Sequence, residues 1–163
     1  MKKAQSSKFY RWLLSKGLNR MVPFNYPHKF KIVEVGDELL EVELPYIKRN
    51  LNHLKGLHAC AMATLAEVSS GFLLISKLDP KKFRLILSKL EMEYHFQGKS
   101  AAQAKFSFDQ EWWNKEILMP LEMQGICNVI CKVEIKDEEG NLLSTGNAHW
   151  QIKDWQKVKT KTT

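Results

Sequence analysis

The sequence predicts an α+β protein in which an antiparallel sheet wraps around one long helix. The first observation is the stretch 57–77, which is almost entirely apolar or small, contains no proline and carries a single acid, Glu67. Its composition favours a helix, and apolar residues on every side indicate a helix enclosed by other structure. The second observation is that four alternating segments joined by short turns follow it, which favours an antiparallel sheet over βαβ units. Such a sheet has one face to cover, and this helix is the only predicted element able to cover it.

Ahead of the long helix, the chain predicts a short helix and a hairpin. Residues 7–19 place Phe9, Trp12 and Leu13 at helical spacing among basic residues, which predicts an amphipathic helix on the edge of the core or on a membrane surface. A linker with two prolines follows at 21–29. Alternating segments on either side of a Gly-Asp turn, at 30–35 and 38–44, predict the two strands of the hairpin.

After the long helix, alternation predicts four further strands, at 84–96, 102–108, 126–136 and 142–152, which makes six in all. An irregular connection at 109–120 carries Trp112 and Trp113, which we expect to be core or interface supports rather than a lid over a ligand. We expect one domain over 1–163, with an N-terminal helix at 5–21, the core at 30–152 and a basic tail at 153–163.

Composition and charge narrow the class of protein. A hydrophobic content of 44% is ordinary for a globular domain, and the formal net charge of +7 comes largely from lysines near the two ends. Those lysines are explained by solubility and frayed termini, or by an anionic ligand such as a phosphorylated cofactor. Nucleic acid is a weaker interpretation, because the chain has no zinc-finger, helix-turn-helix or aromatic-basic RNA motif.

The three cysteines point to a reducing compartment. Cys127 and Cys131 lie on one predicted strand about 13 Å apart at ~3.3 Å per residue, too far for a disulfide between them. The N-terminus lacks the apolar segment of a signal peptide, so we expect a cytoplasmic protein. A membrane span is the rival interpretation of the long apolar stretch, and Glu67 at its centre argues against it.

Glu67 lies where carboxylates are seldom found. A charge removed from water without a partner is costly, so this group must be hydrogen-bonded, shifted in pKa, or facing a wet cleft. The start of the same helix offers unpaired N–H groups and the positive end of the helix dipole. A donor that polarises a carbonyl and a carboxylate that acts as a base are parts of many hydrolytic sites, and the sequence supplies candidates for both.

The element order and the residues of the central helix resemble the hotdog-fold acyl-CoA thioesterases. The helix entry reads Asn52-His53-Leu54-Lys55-Gly56-Leu57-His58-Ala59, and its middle reads Leu65-Ala66-Glu67. Within that superfamily the chain looks most like the phenylacetate-pathway type and a related branch of unknown function. The resemblance implies a hotdog fold over about 30–152, and its specific motif is confined to 52–71.

The resemblance also implies roles for individual residues. Asn52 takes an amide position, His58 the histidine position, Ala59 the position whose N–H polarises the thioester carbonyl, and Glu67 that of the general base or nucleophile. Two residues depart from the pattern. Ala59 replaces the usual glycine, and Gly71 replaces a serine or threonine that orients the attacking water. Each retained residue also has a structural interpretation: an interface histidine, a turn-forming asparagine, or a glutamate that accepts hydrogen bonds.

Helix geometry separates the two halves of this predicted site. Glu67 follows His58 by nine positions, which in a regular helix rotate by ~900° and rise by roughly 13 Å, so the two side chains lie on opposite faces. They act together only if a two-fold dimer brings Glu67 of one subunit to His58 and Ala59 of the other. The resemblance implies such a homodimer, or a dimer of dimers, with its sites at the interface.

The predicted function is therefore hydrolysis of acyl-CoA or another acyl thioester, with an aryl or medium-to-long acyl group in a tunnel lined by the 90–96 strand and the central helix. Coenzyme A takes part only as a portion of the substrate, and we expect no separate cofactor. We also expect no metal, because His53, His58 and Cys60 lack a suitably spaced fourth ligand. The alternative is a non-catalytic hotdog module that binds acyl-CoA or a fatty acid, which Ala59 and Gly71 favour.

Overall fold

The computed structural model describes residues 1–158, which form one sheet with helices packed against it. The helices are α1 (Lys2–Ser6), α2 (Lys8–Met21), α3 (Ala59–Lys77), α4 (Gln110–Trp112) and α5 (Met119–Gln124). The strands are β1 (Lys31–Val35), β2 (Leu39–Leu44), β3 (Phe83–Tyr94), β4 (Ala102–Ser107), β5 (Ile126–Asp137) and β6 (Leu142–Asp154). A π-helical segment (Trp113–Leu118) joins α4 to α5, and 3₁₀ turns occupy Pro23–Asn25, Lys48–Asn50 and Trp155–Lys157.

The six strands form one sheet in the order β1-β2-β4-β5-β6-β3, and every neighbouring pair is antiparallel. Alternate residues along β5 are buried, as the sequence predicts, because one face of the sheet lies against α3 and the other faces solvent. The prediction of an antiparallel sheet around a single long helix is confirmed.

Helix α3 is the centre of the core. Leu65, Leu73 and Leu74 are fully buried beneath the sheet, and each contributes ~1.5–3 kcal/mol of hydrophobic stabilisation. At Gly146 on β6, an added Cβ would lie 2.9 Å from the Cβ of Ala66, so the sheet and the helix touch closely there. Within residues 1–158, Ala59–Lys77 is the one helix long and apolar enough to cross a membrane, and most of it is covered by the rest of the fold.

The prediction of an irregular connection at 109–120 is wrong, because this segment is largely helical. The Asp109 carboxylate caps α4 by accepting from the Trp112 N–H at 2.7 Å. Pro120 lies in the first turn of α5, and the π-helical segment precedes it. Trp113, Ile117 and Leu121 are buried at a spacing of four, which is the helical signal in this part of the sequence.

Helix α2 exists as predicted, but a different face of it packs on the core. Phe9 and Trp12 are 61% and 54% exposed, whereas Ser15, Leu18 and Asn19 are buried. The Asn19 amide donates to the Phe30 carbonyl at 2.7 Å and accepts from the Phe30 N–H at 3.0 Å. The polar face therefore points inward because it satisfies backbone groups at the start of β1, which leaves the aromatic residues outside.

The two edges of the sheet differ. Strand β1 is short and is packed by α1 and α2, whereas β3 has twelve residues and pairs on one side only, with β6. Strand β3 also ends at Tyr94, so Phe96 lies beyond it and not within the predicted 84–96 strand. Within residues 1–158, nothing pairs with the outer edge of β3.

The C-terminal segment departs from the predicted boundary at 153. Strand β6 continues to Asp154, and the Trp155 indole N–H donates to the Pro80 carbonyl at 3.0 Å. Of the predicted basic tail at 153–163, residues 159–163 lie outside the described residues.

Candidate active site on the central helix

The start of α3 presents an unsatisfied backbone donor. His58 is the N-cap, and its Nδ1 accepts from the Cys60 N–H at 3.0 Å, so in the neutral ring the proton resides on Nε2. The His58 N–H donates to the Asn50 carbonyl at 2.8 Å. The Ala59 N–H, next in the chain, has no acceptor among residues 1–158 and lies at an exposed residue. This end of the helix can therefore donate a hydrogen bond to an incoming carbonyl oxygen.

Strand β3 fixes the position of that helix start. The Tyr94 hydroxyl donates to the Ala59 carbonyl at 3.0 Å, which ties the last residue of the strand to the first residue of the helix. Burial raises the pKa of the Tyr94 phenol above its ordinary value, so this hydroxyl keeps its proton at neutral pH. The Ala59 amide group is thus held against the end of the open sheet edge.

Asn52 has a structural role in the loop before α3. Its side-chain oxygen accepts from the Leu54 N–H at 2.9 Å and from the Gly56 N–H at 3.0 Å. These two bonds shape the turn that leads to His58. The turn contains Lys55, whose backbone is left-handed with φ of 60°. The amide oxygen is therefore already engaged, and only the side-chain NH₂ remains to contact a ligand.

Glu67 lies in the middle of α3 and is half-buried. Its carboxylate has no hydrogen-bond or ion-pair partner among residues 1–158, so it is not a glutamate held by a buried polar cluster within one chain. Burial raises the pKa of the Glu67 carboxyl above its ordinary value of 4.5, since a desolvated charge is disfavoured. The side chain is therefore a stronger base than a carboxylate in water.

An apolar cavity of about 170 Å³ borders Glu67. The end of α2 forms one wall with Leu18 and Met21, α3 forms another, and Leu85 of β3 and Trp150 of β6 close it. The buried Asn25, from the 3₁₀ turn after α2, adds one polar side chain to the lining. The sequence places a tunnel along 90–96, whereas this cavity lies nearer the opposite end of β3.

Trp150 occupies the space where the usual hydroxyl would lie one turn after Glu67. A Cβ added to Gly71 would lie 2.5 Å from Cη2 and Cζ2 of the Trp150 ring. The indole N–H donates to the Ser70 hydroxyl at 3.1 Å, and that hydroxyl in turn bonds to the Ala66 carbonyl. Gly71 is therefore required by the packing of a large aromatic ring against the helix.

The two halves of the predicted site are not brought together within one chain. His58 and Ala59 begin α3, and Glu67 lies on the same unbroken helix nine residues later. The first two residues are exposed, whereas Glu67 is turned toward the cavity beneath α2. Within one subunit, the free N–H at the start of α3 and the Glu67 carboxylate therefore lie in separate places.

Other candidate groups are placed away from this chemistry. The thiols of Cys127 and Cys131 are buried, which raises their pKa to about 11 and about 12, so neither is a nucleophile at neutral pH. All three cysteines are free. Residues 1–158 contain no group of three or more His, Cys, Asp or Glu side chains able to hold a metal ion. Trp112 and Trp113 both stack on Phe108, at 5.4 and 5.1 Å between ring centroids, and support the core.

Sequence reasoning missed Trp150 and the contribution of α2 to the cavity. The alternation along 142–152 could have revealed Trp150, because it puts this residue on the inward face of β6. Nothing in the local sequence signals that the same ring lies over Gly71, since eighty positions separate the hydroxyl and indole groups that meet there.

Several solved structures share this fold. The chain superimposes on a probable thioesterase of unknown function from Pseudomonas aeruginosa with a TM-score of 0.79 and 18% identity, covering 86% of this chain and 94% of that chain. A thioesterase from Haemophilus influenzae gives a TM-score of 0.67 at 13% identity, with 88% and 91% covered. The likeness shows that the hotdog fold implied by the sequence is correct.

A third structure is a thioesterase from Staphylococcus aureus, with a TM-score of 0.65, 14% identity, and coverage of 81% of this chain and 99% of that chain. It was solved with a glutamine replaced by alanine, and the same protein was solved with a glutamate replaced fifteen positions later. No curated protein matches the sequence. A family model described as a domain of unknown function (DUF4442) matches residues 10–152, and this chain therefore belongs to the DUF4442 family.

Proposed function

We propose that the protein is an acyl-CoA thioesterase in which Glu67 acts as general base or nucleophile at a site completed by a second copy of the chain. The observation that carries this proposal is Glu67 itself, a half-buried carboxylate without a partner among residues 1–158 that borders an apolar cavity. Unpaired buried carboxylates are costly and cluster at functional sites. The thioesterases of the same fold support this reaction class.

The start of α3 supplies the electrophilic half of the reaction. The free Ala59 N–H and the positive end of the helix dipole stabilise the negative charge that develops on the thioester oxygen. The proton on His58 Nε2 provides a second donor at the same end of the helix. Asn52 contributes by shaping the loop, and its side-chain NH₂ remains available to the substrate.

Glu67 supplies the other half. As a general base, its carboxylate takes a proton from water while the water oxygen attacks the thioester carbon. The resulting oxyanion collapses, the carbon–sulfur bond breaks, and the proton passes to the departing thiolate, giving a carboxylic acid and free CoA. Burial assists this step, because a carboxylate with a raised pKa holds the proton more strongly. As a nucleophile, Glu67 would instead form an anhydride that water then hydrolyses to the same products.

A two-fold dimer through β3 joins the two halves. The outer edge of β3 is open along a strand of twelve residues, and the outward N–H and C=O groups of such long open edges pair readily with another strand. Antiparallel pairing of β3 with its symmetry copy extends the sheet and sets the two central helices side by side in opposite directions. In such a dimer, Glu67 of one subunit approaches Ala59 of the other. The same symmetry allows further pairing into a dimer of dimers.

The cavity beside Glu67 sets the class of acyl group. A cavity of about 150 Å³ lined by apolar side chains holds a benzene molecule, so the 170 Å³ space fits a phenyl ring or a chain of about six carbons. Substrates are therefore aryl or medium-chain acyl thioesters. Coenzyme A enters only as part of the substrate, and we place the activity in the cytoplasm, where the thiols stay reduced.

The experiment is a thiol-release assay of the purified protein against CoA thioesters with acyl groups from acetyl to dodecanoyl and phenylacetyl. We expect a maximum near six carbons or with the aryl group, and loss of activity in Glu67→Gln with the dimer unchanged in size-exclusion chromatography. Glu122→Gln, an exposed carboxylate on α5, is the matched control. Full activity of Glu67→Gln would remove Glu67 from the mechanism.

The second candidate is a non-catalytic module that binds acyl-CoA or a fatty acid. The observation that favours it is Gly71, because Trp150 occupies the place from which a hydroxyl would orient the attacking water. The same panel separates the two functions. Saturable acyl-CoA binding by calorimetry without thiol release from any substrate would establish the binding module.

A further inference from the structure

A basic groove lies on the outer side of α2, between that helix and the start of β1. It has a volume of about 410 Å³, and six of its lining residues carry its chemistry: Lys16, Arg20, Lys29, Lys31, Trp12 and Tyr26. No carboxylate lines it. A concave surface with four cations and two aromatic rings differs from the scattered lysines of an ordinary surface, and it favours an anionic ligand with a flat ring.

The charge of this region is not balanced locally. Residues 1–33 contain eight lysines and arginines and no acidic residue. Lys31 is paired with Glu43 at 2.6 Å, but Lys16, Arg20 and Lys29 have no ion-pair partner among residues 1–158. Three cations without an ion-pair partner along one groove favour an anionic ligand there.

The floor of the groove is built and rigid. Asn19 is buried and bonds both to the N–H and to the carbonyl of Phe30, and the Ser15 hydroxyl accepts from the Ile32 N–H at 2.9 Å. These bonds fix α2 against β1. The basic side chains on the two walls therefore extend from a backbone whose spacing is set before any ligand arrives, which lowers the entropic cost of binding.

The aromatic residues suit a purine ring. Trp12 and Tyr26 are 54% and 61% exposed at the groove, and Tyr26, unlike Trp12, stacks on no other aromatic ring among residues 1–158. Trp12 already stacks on Phe9 at 6.0 Å between ring centroids, and the Lys16 ammonium lies over its ring at 5.5 Å, so Tyr26 is the aromatic side chain left to stack on a base. A base stacked on an aromatic side chain gains ~1–3 kcal/mol without a sequence-specific contact. Phosphate and purine together describe a nucleotide.

The groove adjoins the cavity beside Glu67, because one turn of α2 forms a wall of each. Leu18 and Met21 line the cavity, whereas Asn19 and Arg20, between them in the chain, line the groove. We propose that the groove binds the phosphorylated adenosine end of the CoA thioester, while the acyl group enters the cavity on the other side of α2. This inference rests on the proposed function, since it assigns the second end of the same substrate.

The test measures binding without requiring hydrolysis. Adenosine 3′,5′-bisphosphate and coenzyme A are titrated by calorimetry into the wild-type protein, the double variant Lys16→Glu/Arg20→Glu, and the control Lys8→Glu. Lys8 is exposed on the same helix outside the groove, so the control changes charge in the same direction. Loss of one charge-assisted hydrogen bond weakens binding about tenfold, so we expect at least that increase in Kd for the double variant and little change for the control.

Three further probes identify the source of the phosphate. Adenosine and inorganic phosphate are each expected to bind far more weakly than the bisphosphate, because each has only part of the ligand. Vesicles of phosphatidylserine and phosphatidylcholine test the rival source, a lipid headgroup. If the double variant loses vesicle binding but keeps its affinity for the bisphosphate, the groove is a membrane contact and the proposal is overturned. Equal affinity of all three proteins for the bisphosphate also overturns it.

Kinetics separates this inference from the thioesterase proposal. In an active enzyme, the double variant raises KM for a CoA thioester more than KM for the matching N-acetylcysteamine thioester, which lacks the nucleotide. If no thioester is hydrolysed but groove-dependent binding of the bisphosphate persists, the hydrolase proposal fails and the ligand assignment stands. If hydrolysis occurs and the two KM values rise equally, the ligand assignment fails and the hydrolase proposal stands.

Discussion

The two functional parts of α3 have opposite surroundings. At its start, His58 and Ala59 are exposed, and an N–H group is left without an acceptor among residues 1–158. At its middle, Glu67 is half-buried and faces an apolar cavity packed by Trp150. The first part holds a donor ready in water, and the second holds a base away from water.

Under the proposed mechanism, this difference requires a symmetric partner. A donor and a base on opposite faces of one helix never meet at one carbonyl, but two antiparallel copies of the helix bring each donor to the other copy's base. The open edge of β3 and the Tyr94 bond to Ala59 place the exposed part where such a copy would dock. The following predictions test this division of the site, starting with the largest effect.

Removing the donor is expected to have the largest effect. Ala59 is the first residue of α3, where proline is well tolerated, and His58 already has the extended backbone that precedes proline. Ala59→Pro therefore deletes the N–H with little cost in stability, and we expect kcat to fall by about 10²–10³-fold, as for the loss of one oxyanion donor. Steady-state kinetics with a hexanoyl thioester measures it. Ala59→Gly, which keeps the N–H, is the control and should stay active.

Mixing two inactive variants is expected to restore part of the activity. A heterodimer of Glu67→Gln with Ala59→Pro contains one intact composite site and one doubly defective site. Half of the dimers are mixed after random exchange, so about a quarter of the wild-type activity should return. The assay is thiol release after co-refolding of the two chains. Activity that stays at the level of the separate variants would place both groups in one subunit.

Adding a methyl group near Glu67 should cost stability, whereas the same change on α2 should not. The added Cβ of Gly71→Ala meets the Trp150 ring at 2.5 Å, and overpacking of this kind costs about 1–3 kcal/mol. For Gly17→Ala, nothing lies within 4 Å of the added Cβ, so the better helix former should stabilise by up to ~1 kcal/mol. Urea denaturation of both variants measures the difference. A stable Gly71→Ala would mean that Trp150 moves freely.

The smallest expected effect is the pH dependence of stability at Glu67. Its folded-state pKa is raised by burial, so the carboxyl stabilises the fold when protonated, and this contribution is lost as pH rises through the raised pKa. Glu67→Gln removes the cost of burying the charge. We therefore expect Tm of Glu67→Gln to exceed that of wild type at pH 7, with a smaller difference at pH 4. Thermal melts by circular dichroism at the two pH values provide the measurement, and an equal difference at both would contradict the burial of the charge.

Local patterns were sufficient to predict the sheet and the central helix, because alternation and apolar composition report burial directly. The spacing along the helix was also enough to predict that His58 and Glu67 lie on opposite faces of it. The predictions failed where contacts between residues far apart in the sequence determine the structure. Phe9 and Trp12 face outward because the opposite face of α2 is held inward by the hydrogen bonds of Asn19 to the backbone of Phe30. The helical spacing of the aromatic residues does not reveal these bonds. The segment 109–120 was predicted to be irregular, although it is largely helical and Pro120 lies in the first turn of α5 after a π-helical segment.

The contact between Gly71 and Trp150 links two positions that lie on different elements. Restoring a hydroxyl at Gly71 alone forces the indole out of its place, whereas shrinking Trp150 alone leaves a hole beside the helix. Substitutions at the two positions are therefore tolerated as a pair and harmful one at a time. Across the family, chains with serine or threonine at the first position should carry a smaller residue at the second, and those with tryptophan should retain glycine.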